Sequence, residues 1–169
     1  MILYLDTSAL VKLYAEEPGR REVESSVRTA RVVAVSEIGY VEARSALARK
    51  EREGSFSTDE HDDAVDRLRQ DFREVYLSRR ATGDVIARAG DLTRKHALRA
   101  YDAVHLATAL VLCEESRELA KSAQATEEPS AQENDELRVA MMTFDASLAG
   151  AASNEGLAHH LQESPHEER

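Results

Sequence analysis

Apolar and polar residues alternate along the chain in blocks that predict strands and helices in turn. Short apolar runs, typical of buried strands, occupy residues 2–5, 31–35, 75–77, 137–144 and 157–161. Apolar residues recur every three or four positions, the period of an amphipathic helix, in residues 7–17, 18–30, 37–53, 82–97, 98–110 and 146–152. This alternation predicts an α/β fold in which a central parallel sheet of 4–5 strands has helices on both faces.

Caps and apolar seams add detail to two of these helices and predict a further one. Residues 57–60 have the Ser-x-x-Glu pattern of a capping box, which predicts one more helix start, and Ser36 is expected to cap the helix at 37–53. Two helices carry apolar side chains at helical spacing that we expect to face inward: Val65, Leu68, Phe72 and Val75, then Val85, Ile86, Ala89 and Leu92.

The composition is that of one folded domain. The chain has 169 residues, of which 42% are hydrophobic, enough for a core. We expect residues 1–161 to form this domain, with an acidic flexible insertion at about 114–136 and a tail at 162–169. No apolar run reaches the roughly 18 residues of a membrane helix. Cys113 is the only cysteine, which favours a reducing cytoplasm.

The charge is negative overall and unevenly distributed. A net charge of −10 argues against a protein that coats nucleic acid by bulk electrostatics, although an enzyme can still meet phosphates through a bound cation. Residues 79–99 are instead rich in arginine and lysine. They form either a local phosphate-facing patch or an ordinary solvated helix face.

Four carboxylates are predicted to meet at one edge of the sheet. Asp6 and Asp145 each follow a strand, whereas Glu42 and Asp102 lie one or two turns into helices that start at the same edge. Ligands of open α/β sheets bind at this edge, outside the carboxyl ends of the strands. Each acid also has a plainer interpretation: Asp6 as a helix cap, Glu42 as a boundary residue and Asp102 as a partner of the helix dipole.

Such a cluster of acids favours a divalent cation. Neighbouring like charges repel one another and raise carboxyl pKa values, and a hard cation relieves that repulsion. Oxygen ligands without cysteine or paired histidine favour Mg²⁺ (or Mn²⁺) over zinc. An ion of this kind can activate water for attack on a phosphodiester.

Four sequence blocks resemble those of the PIN-domain ribonucleases, most closely the VapC toxins of toxin–antitoxin pairs. The blocks are Asp6-Thr-Ser, Glu42 within Glu-Ile-Gly-Tyr-Val-Glu-Ala, Tyr101-Asp-Ala-Val-His-Leu-Ala-Thr-Ala and Thr143-Phe-Asp-Ala-Ser-Leu-Ala. Their order and spacing are specific, and the block around Asp102 is the most distinctive. The resemblance covers the chain to about residue 161 and implies a PIN-like three-layer fold.

The resemblance also implies an activity and a set of roles. The four acids match the family's catalytic, metal-binding positions, and three hydroxyls match positions that orient them: Thr7, Ser8 and Thr143. The implied reaction is metal-dependent hydrolysis of RNA. The implied partners are RNA, a small VapB-type antitoxin and a second copy in a homodimer. One departure is the acidic insertion, because family members usually have a short link there.

Other interpretations remain open. The same fold could serve as a catalytically silent module that binds an antitoxin or nucleic acid. A phosphotransferase with Asp6 as nucleophile is disfavoured, since such enzymes need a second acid two residues on, where this chain has Ser8. His105, one helical turn beyond Asp102, either packs in the core or faces the site.

Overall fold

The centre of the protein is a parallel sheet. The computed structural model describes residues 1–124 and 138–159, and its sheet has the strand order β3-β2-β1-β4-β5, with every neighbouring pair parallel. The strands are β1 (Ile2–Leu5), β2 (Val32–Ser36), β3 (Leu77–Arg79), β4 (Val139–Met142) and β5 (Ala158–His159). Because all strands run the same way, their carboxyl ends meet at one edge.

Helices connect the strands and cover the sheet. Along the described ranges they are α1 (Thr7–Leu10), α2 (Arg20–Thr29), α3 (Glu37–Arg52), α4 (Thr58–Glu74), α5 (Gly83–His96), α6 (Ala100–Gln124) and α7 (Ala146–Asn154), with a short 3₁₀ helix at Val11–Leu13. None of them is long and apolar enough to cross a membrane.

The strands bury side chains on both faces, which gives three layers. Ile2 and Tyr4 of β1 belong to one apolar cluster, formed with α5, α6 and α7. Leu3 and Leu5 point the other way into a second cluster, formed with α1, α2, α3 and α4. Alternate burial on two covered faces is what a parallel sheet requires. The predicted α/β class and three-layer arrangement are confirmed.

Helix caps follow the sequence in one case and depart from it in another. The capping box is present: the Ser57 hydroxyl accepts from the Glu60 N–H at 3.3 Å, and the Glu60 carboxylate accepts from the Ser57 N–H at 2.8 Å. Helix α3 starts after Ser36 as expected, but the Ser36 hydroxyl is buried and makes no capping bond.

Two predicted helices are shorter than expected. The first was predicted over residues 7–17, but α1 ends at Leu10 and tightens into the 3₁₀ turn at Val11–Leu13. The second begins at Arg20 rather than at Pro18, because Gly19 has a φ of 89°. A residue in the left-handed conformation cannot continue a right-handed helix, so the chain turns at Gly19 and the helix begins after it.

The third strand and two inward positions were also predicted wrongly. Helix α4 extends to Glu74, so the strand predicted at 75–77 is displaced to Leu77–Arg79. Val75, the C-cap residue of α4, is 58% exposed, and Ile86 is 50% exposed. Ile86 lies outside the narrow buried stripe of α5, which consists of Val85, Ala89 and Leu92.

The acidic insertion begins as helix. Helix α6 continues to Gln124, so the loop predicted from residue 122 was wrong for residues 122–124. Residues 125–137 and 160–169 lie outside the described residues, so the rest of the insertion predicted at about 114–136 and the tail predicted at 162–169 are among them. The last predicted strand, at 157–161, is present as β5 within the described range.

Gly19 should be far less tolerant of substitution than Gly54. Both have positive φ, 89° and 75°, so alanine at either costs about 1–2 kcal/mol of backbone strain. A Cβ at Gly19 would also lie 2.5 Å from Cε1 of Phe144, whereas nothing lies within 4 Å at Gly54. We expect Gly19→Ala to lower the free energy of unfolding in urea by about 1–3 kcal/mol more than Gly54→Ala. Equal losses would show that the Phe144 contact does not constrain this turn.

Candidate active site

Asp6 is the most firmly held of the four predicted acids. It follows β1, and its side chain is 4% exposed. Its Oδ1 accepts from the Ala9 N–H at 3.0 Å and from the Ser8 hydroxyl at 2.8 Å, and Oδ2 accepts from the Thr143 hydroxyl at 2.7 Å. The Ser8 hydroxyl also lies 2.9 Å from Oδ2. Asp6 therefore caps α1 and lies at the predicted edge at the same time.

Two hydroxyls join the loop after β1 to the loop after β4. The Thr143 hydroxyl donates to Asp6 and accepts from the Asp145 N–H at 3.0 Å. The Ser8 hydroxyl donates to Asp6 and accepts from the Phe144 N–H at 2.8 Å. Their contact with the carboxylate agrees with the orienting role that the resemblance implies for these positions.

Asp145 lies beside Asp6 through this connection. It is the N-cap of α7, and its Oδ1 accepts from the Leu148 N–H at 2.9 Å. Its carboxylate is partly exposed, unlike that of Asp6. Two of the four predicted acids thus lie at the ends of the two central strands, β1 and β4, as expected from the sequence.

Asp102 experiences the charges of both these aspartates. It lies in the first turn of α6 and is half-buried. Burial raises the pKa of Asp102 above its ordinary value, and the negative charges of Asp145 and Asp6 raise it further, whereas His105 and Arg99 oppose the shift. Within the described residues, Asp102 has no hydrogen bond or ion pair that would hold its charge.

Glu42 makes its hydrogen bonds with partners that differ from those of Asp6 and Asp145. Its Oε2 accepts from the Thr7 hydroxyl at 2.6 Å and from His105 Nε2 at 2.8 Å. Burial opposes ionisation of Glu42, but these two hydrogen bonds outweigh it, so the pKa of Glu42 lies below its ordinary value. The pKa of Glu42 is therefore shifted in the direction opposite to that of Asp102.

His105 combines the two alternatives that the sequence left open. It is 2% exposed and packs edge-on against Tyr4, with ring centroids 6.0 Å apart. Its Nδ1 lies 2.9 Å from the Tyr4 hydroxyl, and its Nε2 contacts Thr7 and Glu42. His105 is therefore a core residue with hydrogen-bond partners at both ring nitrogens, and it also contacts Glu42 at the site. Sequence reasoning missed Tyr4, whose only signal was a hydroxyl in an otherwise apolar strand.

The chemistry of this edge suits a hard cation, although the acids are not yet gathered around one position. Asp6, Asp102 and Asp145 form no ion pair with a basic side chain in the described ranges. Over those ranges, no three carboxylate, imidazole or thiol groups are close enough to hold a metal ion as they stand. The donor types fit Mg²⁺ or Mn²⁺, since the four acids offer only oxygen ligands. The four-acid metal site remains a prediction.

A groove of about 540 Å³ opens beside Glu42. Its lining comes from α3, the start of α6 and the first residue of α1, and includes Thr7, Val41, Glu42, Arg49 and Tyr101. Val41 and Tyr101 are 68% and 59% exposed. An apolar wall with a cationic side chain beside the acids offers an approach path to the site.

The basic segment at 79–99 is largely neutralised by other parts of the protein. Arg79 and Arg88 pair with Glu115 and Glu114 of α6 at 2.5 and 2.8 Å. Lys95 pairs with Glu155 at 2.7 Å. These ion pairs favour the second of the two interpretations, a solvated face that connects α5 to its neighbours.

Comparison with known proteins gives the class that this fold and edge of acids define. The model of the PIN domain family matches residues 3–116. Ribonuclease VapC45 and ribonuclease VapC49 of Mycobacterium tuberculosis are each 37% identical over 111 residues, which is 66% of this chain and 76% of theirs. The chain belongs to the PIN-domain family, as a VapC-type member.

Solved structures share the fold at low sequence identity. FitAcB from Neisseria gonorrhoeae is 18% identical, with a TM-score of 0.58, and the match covers 94% of this chain and 96% of that one. A toxin–antitoxin complex from Klebsiella pneumoniae is 19% identical, with a TM-score of 0.53, over 88% and 91% of the two chains. At these identities the likeness concerns the fold.

Removing the charge of Asp102 should stabilise the metal-free protein at neutral pH. Its folded pKa is raised, so the ionised form costs stability above that pKa, and protonation removes the cost as the pH falls. We expect Asp102→Asn to raise Tm at pH 7 in the presence of a chelator, and the difference from wild type to shrink as the pH falls through the folded pKa and to vanish below the unfolded pKa, about pH 4.

The matched control is Asp84→Asn in the first turn of α5. Asp84 is exposed and, like Asp102, lies in the first turn of its helix. It should give a small loss of Tm at pH 7. If Asp102→Asn and Asp84→Asn lower Tm alike, the acids at this edge do not repel one another.

Proposed function

We propose that this protein is a metal-dependent endoribonuclease, the toxin of a type II toxin–antitoxin pair. The observation that carries the proposal is the placement of Asp6, Asp102 and Asp145 at the carboxyl edge of the sheet, where the charges of Asp145 and Asp6 add to the burial that raises the pKa of Asp102. Its relatives of 37% identity bear the name ribonuclease, which supports RNA as the substrate. The net charge of −10 supports phosphate contact through a cation rather than through a basic surface.

The four acids share one part in the proposed reaction, which is to bind the cation, and two hydroxyls support them. Asp6, Glu42, Asp102 and Asp145 would hold Mg²⁺ or Mn²⁺, which when bound supplies an activated water and neutralises phosphate charge. Ser8 and Thr143 keep the Asp6 carboxylate in one orientation through three short contacts. Such fixed donors lower the cost of reorganisation during the reaction.

Substrate and partners would use the groove beside Glu42. Tyr101 offers an exposed ring on which a base can stack, and Arg49 offers a charge for a phosphate. The same groove gives an antitoxin segment a place from which to block the acids, in keeping with the toxin–antitoxin neighbour of similar fold. A homodimer and a cytoplasmic location complete the proposal.

The proposal is tested by replacing acids with their amides. Asparagine keeps the helix cap at position 6 and removes the charge. We expect Asp6→Asn and Asp102→Asn to retain the wild-type circular dichroism spectrum and to slow cleavage of a labelled RNA with Mg²⁺ by more than about a hundredfold, the upper range for loss of a group that supports a metal. Asp84→Asn should cleave at the wild-type rate. Sequencing of RNA 5′ ends would identify the cut sites.

The second candidate is a catalytically silent module. It is favoured by the absence, among residues 1–124 and 138–159, of three acids at metal-binding distance. Calorimetry with Mn²⁺ in the same experiment separates the two. Saturable binding that Asp6→Asn removes supports the nuclease, whereas no binding together with equal RNA cleavage by wild type and both variants would overturn it.

A further inference from the structure

A buried chain of hydrogen bonds runs from the core to Glu42. The Tyr4 hydroxyl contacts His105 Nδ1 at 2.9 Å, and His105 Nε2 contacts Glu42 Oε2 at 2.8 Å. Tyr4 is fully buried and His105 is 2% exposed, whereas Glu42 borders the groove. The chain connects β1, α6 and α3, the three elements that meet at this side of the sheet.

The contacts determine which nitrogen of His105 carries hydrogen. A carboxylate oxygen can only accept, so Nε2 must carry the hydrogen that it shares with Glu42 Oε2. The Thr7 hydroxyl donates its hydrogen to the same oxygen at 2.6 Å, so it accepts from Nε2 at 3.0 Å. In the neutral imidazole Nδ1 is then an acceptor, so the Tyr4 hydroxyl donates to it.

This arrangement treats the two oxygens of Glu42 differently. Oε2 accepts two hydrogen bonds, from Thr7 and His105, whereas Oε1 has no hydrogen-bond partner in the described residues. The side chain is 25% exposed and borders the groove. Fixing one oxygen leaves the other available to a ligand in a single orientation.

We propose that Tyr4 and His105 are positioning residues that hold Glu42 Oε2 and so present Oε1 to a ligand at the sheet edge. In the ribonuclease proposed above, on which the kinetic part of this inference rests, they act through Glu42 and touch neither RNA nor metal. The hydrogen bond from Tyr4 selects the tautomer of the His105 imidazole. The hydrogen bond from the imidazole then fixes the orientation of the Glu42 carboxylate. Groups of this kind typically change metal affinity or activity by 10–100-fold when they are removed.

A purely structural role makes a different prediction from a positioning role, and Tyr14 provides the matched control. Tyr14 is also a buried tyrosine, and its hydroxyl donates to Asp71 at 2.6 Å, in the layer formed by α4. Tyr4→Phe and Tyr14→Phe each remove one buried, hydrogen-bonded hydroxyl, so both should lower Tm. We expect only Tyr4→Phe to lower kcat for RNA cleavage, by about tenfold and with KM unchanged. Equal kcat values for the two variants would overturn the proposal.

Substitutions of His105 test the contact with Glu42 itself. His105→Gln can place an amide N–H near the position of Nε2, whereas His105→Leu removes the donor and keeps an apolar core. We expect His105→Leu to weaken Mn²⁺ binding, measured by calorimetry, by about 10–100-fold, and His105→Gln to recover most of that loss. If both variants fold and bind Mn²⁺ as wild type does, the positioning role is excluded.

The tautomer can be measured without any activity, which separates this inference from the proposed function. Nitrogen-15 NMR of the imidazole in the full chain should show a protonated Nε2 and an unprotonated Nδ1. Tyr4→Phe should shift the Nδ1 resonance, and Tyr14→Phe should not. A wild-type His105 protonated only at Nδ1 would overturn the positioning role even if RNA is cleaved. Wild type that shows the expected tautomer but cleaves no RNA would overturn only the proposed function.

Discussion

The structure depends on one constraint: a parallel sheet brings the ends of all its strands to the same edge, and this chain places acids there. Asp6 follows β1, Asp145 follows β4, and Asp102 lies in the first turn of α6. Burial raises the pKa of Asp102, and the like charges of Asp145 and Asp6 raise it further. The fold tolerates the repulsion because hydroxyls and backbone N–H groups hold Asp6 and Asp145. Asp102 alone is left without such support in the described residues.

The acids are divided into two groups with different support. Ser8 and Thr143 connect Asp6 to the loop of Asp145, while Thr7 and His105 hold Glu42 on the far side of β1. One group is fixed by short hydroxyl side chains and the other by an imidazole that extends from the core. Because different side chains hold the two groups, Asp6 and Glu42 can each be oriented independently although both carry negative charge.

Much of the fold and of the site could be predicted from sequence, and the failures have physical causes. Asp6 and Asp145 were found because an apolar strand that stops at an acid is a local pattern. Helix ends were predicted less well, because periodicity encodes neither the positive φ of Gly19 nor the nearness of Phe144, which leaves no room there for a Cβ. The role of Tyr4 was invisible because its partner lies 101 residues away. Distances between carboxylates likewise depend on packing that periodicity does not encode.

If a divalent cation brings the acids at this edge together, diffraction from crystals grown with Mn²⁺ should show the ion there. We expect an anomalous peak at the carboxyl edge of β1 and β4, with oxygens of Asp6, Asp102 and Asp145 at about 2.1–2.3 Å from it. Asp6→Asn crystals under the same conditions should lack the peak. If crystals at saturating Mn²⁺ show no ion at this edge, or show ions only elsewhere on the protein, these acids do not form a metal site.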